Sequence, residues 1–137
     1  MSNEELIGRL ETAEGPSREL DRDFAEAAGW QRKVPGDPNS DDYWRWGDHS
    51  WTREDGEEHP PRYTASLDAI VGLIERELPG WGFDLTVSSS GRCSTRIWPG
   101  TSFAENERQT RFGSNPRPAL ALCIAFLKAR AAIGAAP

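Results

Sequence analysis

Residues 119–132 read Ala-Leu-Ala-Leu-Cys-Ile-Ala-Phe-Leu-Lys-Ala-Arg-Ala-Ala, a run with the length of a helix and almost no polar side. Leu120, Cys123, Ile124 and Leu127 form one stripe, and Leu122 and Phe126 lie beside it. A helix that is apolar around much of its girth has to be buried rather than laid on a surface. The rest of the chain must therefore cover it from more than one direction, and this is the strongest constraint on the fold. Pro118 suits the first turn of such a helix, and Gly134 is expected to close it.

Three other segments can supply cover. Ser2 with Glu5 three residues on reads as a capping box, with Leu6 and Leu10 at helical spacing behind it and a stop at Gly15-Pro16. Ser17 caps a second amphipathic run carrying Leu20, Phe24 and Ala27 or Ala28, ended by Gly29. Helices this short are not stable alone, so the pair is expected as a helical hairpin against something apolar. Ser66 caps a third run, supported by Asp68 in the first turn, with a stripe of Leu67, Ile70, Val71, Ile74 and Leu78 before Pro79-Gly80.

Between the third and last helices the period changes from 3.6 to 2. Residues 81–87 alternate strictly, as a half-buried strand does. Ser88-Ser89-Ser90-Gly91 is a turn, and residues 92–98 alternate again. Cys93, Thr95 and Ile97 share one face, and Arg92, Ser94, Arg96 and Trp98 share the other. Pro99-Gly100 turns the chain, residues 101–105 suit a third strand, and 106–117 read as a polar loop. Strands joined by tight turns make an antiparallel meander. The expected fold is thus α+β: a short antiparallel sheet of about three strands packed with four helices, sandwich-like. A length of 137 residues suits one domain. It would divide into a helical hairpin (1–34), an acidic, aromatic-rich segment (35–63) and a helix–meander–helix core (64–137).

Charge is unevenly spread over a net −6. Residues 35–63 hold eight acids against three arginines, whereas residues 86–137 hold seven basic side chains against Glu105 and Glu107. An acidic chain is expected to avoid bulk nucleic acid, whose binding is driven by clustered Lys and Arg. A local set of arginines can still hold a small anion through bidentate forks. No apolar run reaches the roughly 18 residues of a membrane span. The polar, acidic start argues against a secretory signal, and Cys93 and Cys123 match no zinc or redox spacing. A cytoplasmic chain with two free thiols is expected.

The segment 35–63 carries Tyr43-Trp44-Arg45-Trp46 and Trp51, either as a ragged pair of strands joined through Gly47-Asp48-His49-Ser50 or as an ordered loop held by its tryptophans. His49 and His59 lack the partners of a nucleophile–base pair, and Asp41, Asp42, Asp48 and the two histidines lack a metal-site spacing. No cofactor, metal or catalytic group is assigned.

The front end, Gly15-Pro16-Ser17-Arg18-Glu19-Leu20-Asp21, belongs with Tyr63-Thr64-Ala65-Ser66-Leu67-Asp68-Ala69, with Leu78-Pro79-Gly80-Trp81-Gly82 and with the return at Pro118-Ala119-Leu120-Ala121-Leu122-Cys123. Together these resemble the phage ABA sandwich domain family, small phage and prophage proteins without an assigned reaction. The resemblance implies a compact α/β sandwich of viral or prophage origin, in an infected or lysogenic bacterial host.

Two binding functions and one enzymatic function stay open. In the first, the chain sequesters a small anionic nucleotide, such as a host immune signal. Ser90, Arg92, Arg96 and Trp98 would bind it with Arg108 and Arg111 of the 106–117 loop and with Trp44 and Trp46. Stacking a base on an aromatic or guanidinium plane is worth about 1–3 kcal/mol. Such a protein is expected to form a homo-oligomer, because one small domain offers little concavity. In the second, the acidic 37–58 segment, with its run Glu54-Asp55-Gly56-Glu57-Glu58, mimics nucleic acid toward a basic, nucleic-acid-binding host defence enzyme. The third is an unrecognised hydrolase.

Overall fold

The computed structural model describes residues 2–29, 31–32, 44–46, 49–50, 52–54, 57–100 and 102–135, with backbone alone for the strands between 31 and 59 and at 105, 134 and 135. Four helices and a three-stranded antiparallel open sheet pack together as an α+β fold.

The first two helices, α1 (Asn3–Thr12) and α2 (Arg18–Ala28), begin where the serines place them. Ser2 Oγ accepts from the Glu5 amide at 3.1 Å and Ser17 Oγ from the Leu20 amide at 3.0 Å. Short strands follow: β1 (Gln31–Arg32), β2 (Trp44–Trp46), β3 (His49–Ser50), β4 (Thr52–Glu54) and β5 (Glu57–His59). They pair antiparallel as β1–β2–β3 and β4–β5. His49 and Ser50 are thus strand rather than connection, with Trp46 opposite His49.

Helix α3 (Leu67–Glu77) is capped by Ser66, whose hydroxyl accepts from the Ala69 amide. Its buried stripe is Ile70, Leu73, Ile74 and, just past its end, Leu78. Leu67 is exposed, not buried as the periodicity suggests, because it stands at the helix entrance and lines an open cleft with Pro16, Thr64 and Arg117.

The meander follows as β6 (Gly82–Val87), β7 (Cys93–Trp98) and β8 (Arg111–Asn115), in that spatial order. The third strand is not at 102–105, and Thr101 lies outside the described residues. A 3₁₀ helix spans Ala104–Gln109, and the strand lies within the expected polar loop. The reason is the chemistry of its inward face. Gly113 and Asn115 point inward while Phe112 points out, so β8 carries no apolar alternation to read.

Gly113 is required because β8 rests directly on the backbone of α4 (Pro118–Ala135). A Cβ at this position would overlap the Ala121 carbonyl oxygen and come within 2.8 Å of the Ala125 nitrogen. Asn115 is fully buried and ties three segments together. Its Nδ2 donates to the Leu10 and Ala13 carbonyls at the end of α1 (2.9 and 3.2 Å), and its Oδ1 accepts from the Arg117 amide (2.9 Å).

Helix α4 is the centre of the molecule, as its apolar girth requires. Residues 120–127 are essentially inaccessible, and α4 lies between the sheet on one side and α1, α2 and α3 on the other. It runs through Gly134 rather than stopping there. Among the described residues no helix is long and apolar enough to cross a membrane.

Candidate ligand-binding face

The ladder register decides which side chains meet on the face of the sheet turned away from α4. Across β6 and β7, Gly82 opposes Trp98, Asp84 opposes Arg96 and Thr86 opposes Ser94. Across β7 and β8, Arg96 opposes Phe112 and Ser94 opposes Ser114. Directly opposed side chains share a face, so Asp84, Arg96 and Phe112 form one row across three strands. The sharing of Arg92, Arg96 and Trp98 by one face agrees with the alternation in the sequence.

Arg96 is held from several sides. Its Nε donates to both Asp84 oxygens at 3.0 and 3.1 Å, and its Nη2 also bonds Asp84. The guanidinium carbon lies 4.1 Å from the Phe103 ring centre and 5.9 Å from that of Trp98. The bonds to Asp84 raise the Arg96 pKa above its ordinary value, burial opposes them in part, and the carboxylate charge adds to the rise. A positive, planar group is therefore fixed in one orientation. Among the described residues Nη1 makes no hydrogen bond.

Trp98 serves as the wall of this site rather than a free stacking plane. It is only 8% exposed, lies edge-on to Phe103 at 5.5 Å, and reaches across to β6. Gly82 leaves the room it needs, since a Cβ there would come within 2.5–2.8 Å of the indole. The exposed ring of the row is Phe112, 54% accessible on β8. Further along the face stand hydroxyls and a second arginine. Arg92 donates from Nε to Ser114 Oγ at 2.7 Å, and Ser88 and Ser90 share a hydrogen bond at the hairpin turn.

The expected arginines of the 106–117 segment do not join this row. Arg111 opposes Ile97 and so belongs to the helix-facing side, where its Nη1 donates to the Arg108 and Thr110 carbonyls. Arg108 is exposed on the 3₁₀ helix. Lys128 and Arg130 of the basic C-terminal half pair with Glu11 and Glu77. The side chains of Trp44, Trp46, Trp51, His49, His59, Glu57 and Glu58, and residues Asp41, Asp42 and Asp48, lie outside the described residues.

Asp84, Phe103, Phe112 and Ser114 escape a reading of the sequence as site residues. Asp84 could have been found, because it holds the polar phase of an alternating strand that pairs with the arginine strand. Phe112 could not, since its strand is invisible to periodicity.

Clefts lie elsewhere among the described residues. One of about 510 Å³ lies between α1, α2 and α4, lined by Asn3, Leu6, Asp23, Glu26 and Arg130, and one of about 270 Å³ lies where α2, α3 and α4 begin. Neither includes the Arg96 row.

Searches of family models, curated proteins and solved structures return no match to this chain. The resemblance to the phage ABA sandwich domain family therefore rests on the quoted residues alone.

Proposed function

We propose that the outer face of the sheet binds a small planar anion of the nucleotide class and holds it without reacting. One observation carries this reading: Arg96, oriented by Asp84 and Phe103, stands directly opposite the exposed Phe112 in the ladder. A base stacked on Phe112 places its phosphate toward Arg96 Nη1 and the terminal nitrogens of Arg92, with Ser94 and Ser114 as hydroxyl partners. The net charge of −6 supports a compact ligand over long nucleic acid, since an extended polyanion meets the acidic remainder of the chain. The likeness to phage proteins supports a biological setting, in which the ligand is a host signalling nucleotide that the chain removes by binding.

The test is a thermal-shift and calorimetric screen of the purified chain against mono-, di- and cyclic nucleotides, with the bound compound recovered by heating and identified by mass spectrometry. One nucleotide class raises the melting temperature and is returned intact, and Phe112→Ala and Arg96→Ala each abolish the shift. A chain that no nucleotide stabilises defeats the reading, and a ligand returned as products makes the protein an enzyme.

A further inference from the structure

The two arginines of the outer face are anchored on opposite flanks of the central strand. Arg96 leans from β7 toward β6, where Asp84 takes its Nε and Nη2. Arg92 leans toward β8, where its Nε donates to Ser114 Oγ at 2.7 Å. Strands β6 and β8 are two strand spacings apart, about 10 Å. The two anchors also stand in successive rows of the ladder, because Ser114 opposes Ser94 rather than Arg96. The guanidiniums thus form two separate positive positions, with Ser94 of β7 between them.

These positions differ in charge and in the nitrogens left over. Arg96 is paired with a carboxylate, and only its Nη1 makes no hydrogen bond among the described residues. Arg92 is exposed and its partner is a neutral hydroxyl, so its charge is not offset there. Among the described residues neither Nη1 nor Nη2 of Arg92 is hydrogen-bonded. A fork of two terminal nitrogens matches two oxygens of one phosphate, whereas a single nitrogen makes one bond. The face therefore offers a bidentate position at Arg92 and a weaker, single-bond position at Arg96, where the Asp84 carboxylate repels a highly charged anion.

We propose that the ligand of this face is a nucleoside 5′-diphosphate with a free terminal phosphate, an assignment that rests on the nucleotide reading of the same face. The inner phosphate, which is singly charged, bonds Arg96 Nη1 beside the base on Phe112, the residue opposite Arg96 in the ladder. The terminal phosphate, close to doubly charged at neutral pH, takes the Arg92 fork. Ser94 donates its hydroxyl to the oxygens between them. A monophosphate fills only one of the two positions, and a cyclic monophosphate has no free terminal group.

Isothermal titration calorimetry on the full chain tests it. The probes are the 5′-monophosphates and 5′-diphosphates of adenosine, guanosine, cytidine and uridine, with cyclic AMP and ADP-ribose beside them. For at least one base the diphosphate binds at least about tenfold more tightly than the monophosphate. Arg92→Gln brings that ratio close to one while far-UV circular dichroism stays that of the wild type, and Ser114→Ala, which releases the guanidinium, lowers it in part. ADP-ribose, whose outer phosphate is esterified and singly charged, binds no more tightly than AMP. A monophosphate or cyclic nucleotide that binds as tightly as every diphosphate overturns the inference and leaves the nucleotide reading standing. A diphosphate preference that survives Arg92→Gln does the same, and ADP-ribose that matches a tightly bound ADP overturns the free terminal phosphate. A chain that takes up none of the diphosphates also overturns the inference, and the nucleotide reading falls with it only when the monophosphates and cyclic nucleotides fail as well.

Discussion

Asp84 and Arg96 sit directly opposite each other on adjacent strands, and the carboxylate takes Nε and Nη2 of the guanidinium while Phe103 covers its face. The pair is about one-third exposed, so its effect on stability is small and its main effect is on orientation. Asp84→Asn is therefore expected to leave the melting temperature nearly unchanged while weakening the proposed nucleotide binding about tenfold. Calorimetry on the variant and the wild type reads both quantities. Binding that strengthens instead means that Asp84 acts as a competitor for the guanidinium.

Gly113→Ala tests the closest approach in the core. The added methyl meets backbone atoms of α4, at the Ala121 carbonyl and the Ala125 nitrogen, and neither can swing aside as a flexible side chain would. Overpacking of this kind costs about 1–3 kcal/mol or more. A urea titration should show a matching drop in midpoint with little change in slope.

Asn115→Ala should be of similar severity. It removes the side-chain partner of the Ala13 carbonyl and of the Arg117 amide, leaving the Leu10 carbonyl with only the Ala13 amide, and unsatisfied buried groups cost about 1–3 kcal/mol each. Asn115→Asp restores size and one acceptor but not the two donated bonds, so urea denaturation should place it well below wild type.

Cys123 gives a pH dependence of defined sign. Burial pushes its thiol well above the ordinary 9.0, and the negative charge of Asp21 pushes the same way. The folded state therefore binds the proton more tightly than the unfolded state. The contribution is complete below about pH 9 and is lost as pH rises toward the folded value. Wild type should thus lose more stability than Cys123→Ala between about pH 9 and about pH 11, measured as the difference in urea midpoints. Equal losses would mean that the thiol ionises without unfolding cost.

Much of this architecture is legible in the residues. The serine caps at Ser2, Ser17 and Ser66 mark helix starts through hydroxyls that accept from first-turn amides, while the alternation through β6 and β7 and the all-round apolarity of α4 report burial through side-chain hydrophobicity. Strand β8 breaks that link. Two of its inward positions are Gly113 and Asn115 because the space there is filled by the backbone of α4 and by carbonyls at the end of α1.

The sequence by itself determined the helix at the centre, the α+β layering around it, and the shared face of Arg92, Arg96 and Trp98, because helical and strand periods depend only on local order. Tertiary structure decided that the third strand lies at Arg111–Asn115, that Phe112 rather than Trp98 is the open ring, and that Arg111 faces away from Arg96. Those outcomes depend on register between strands distant in the chain, and register is fixed by which backbone fits against α4 rather than by any pattern along a single segment.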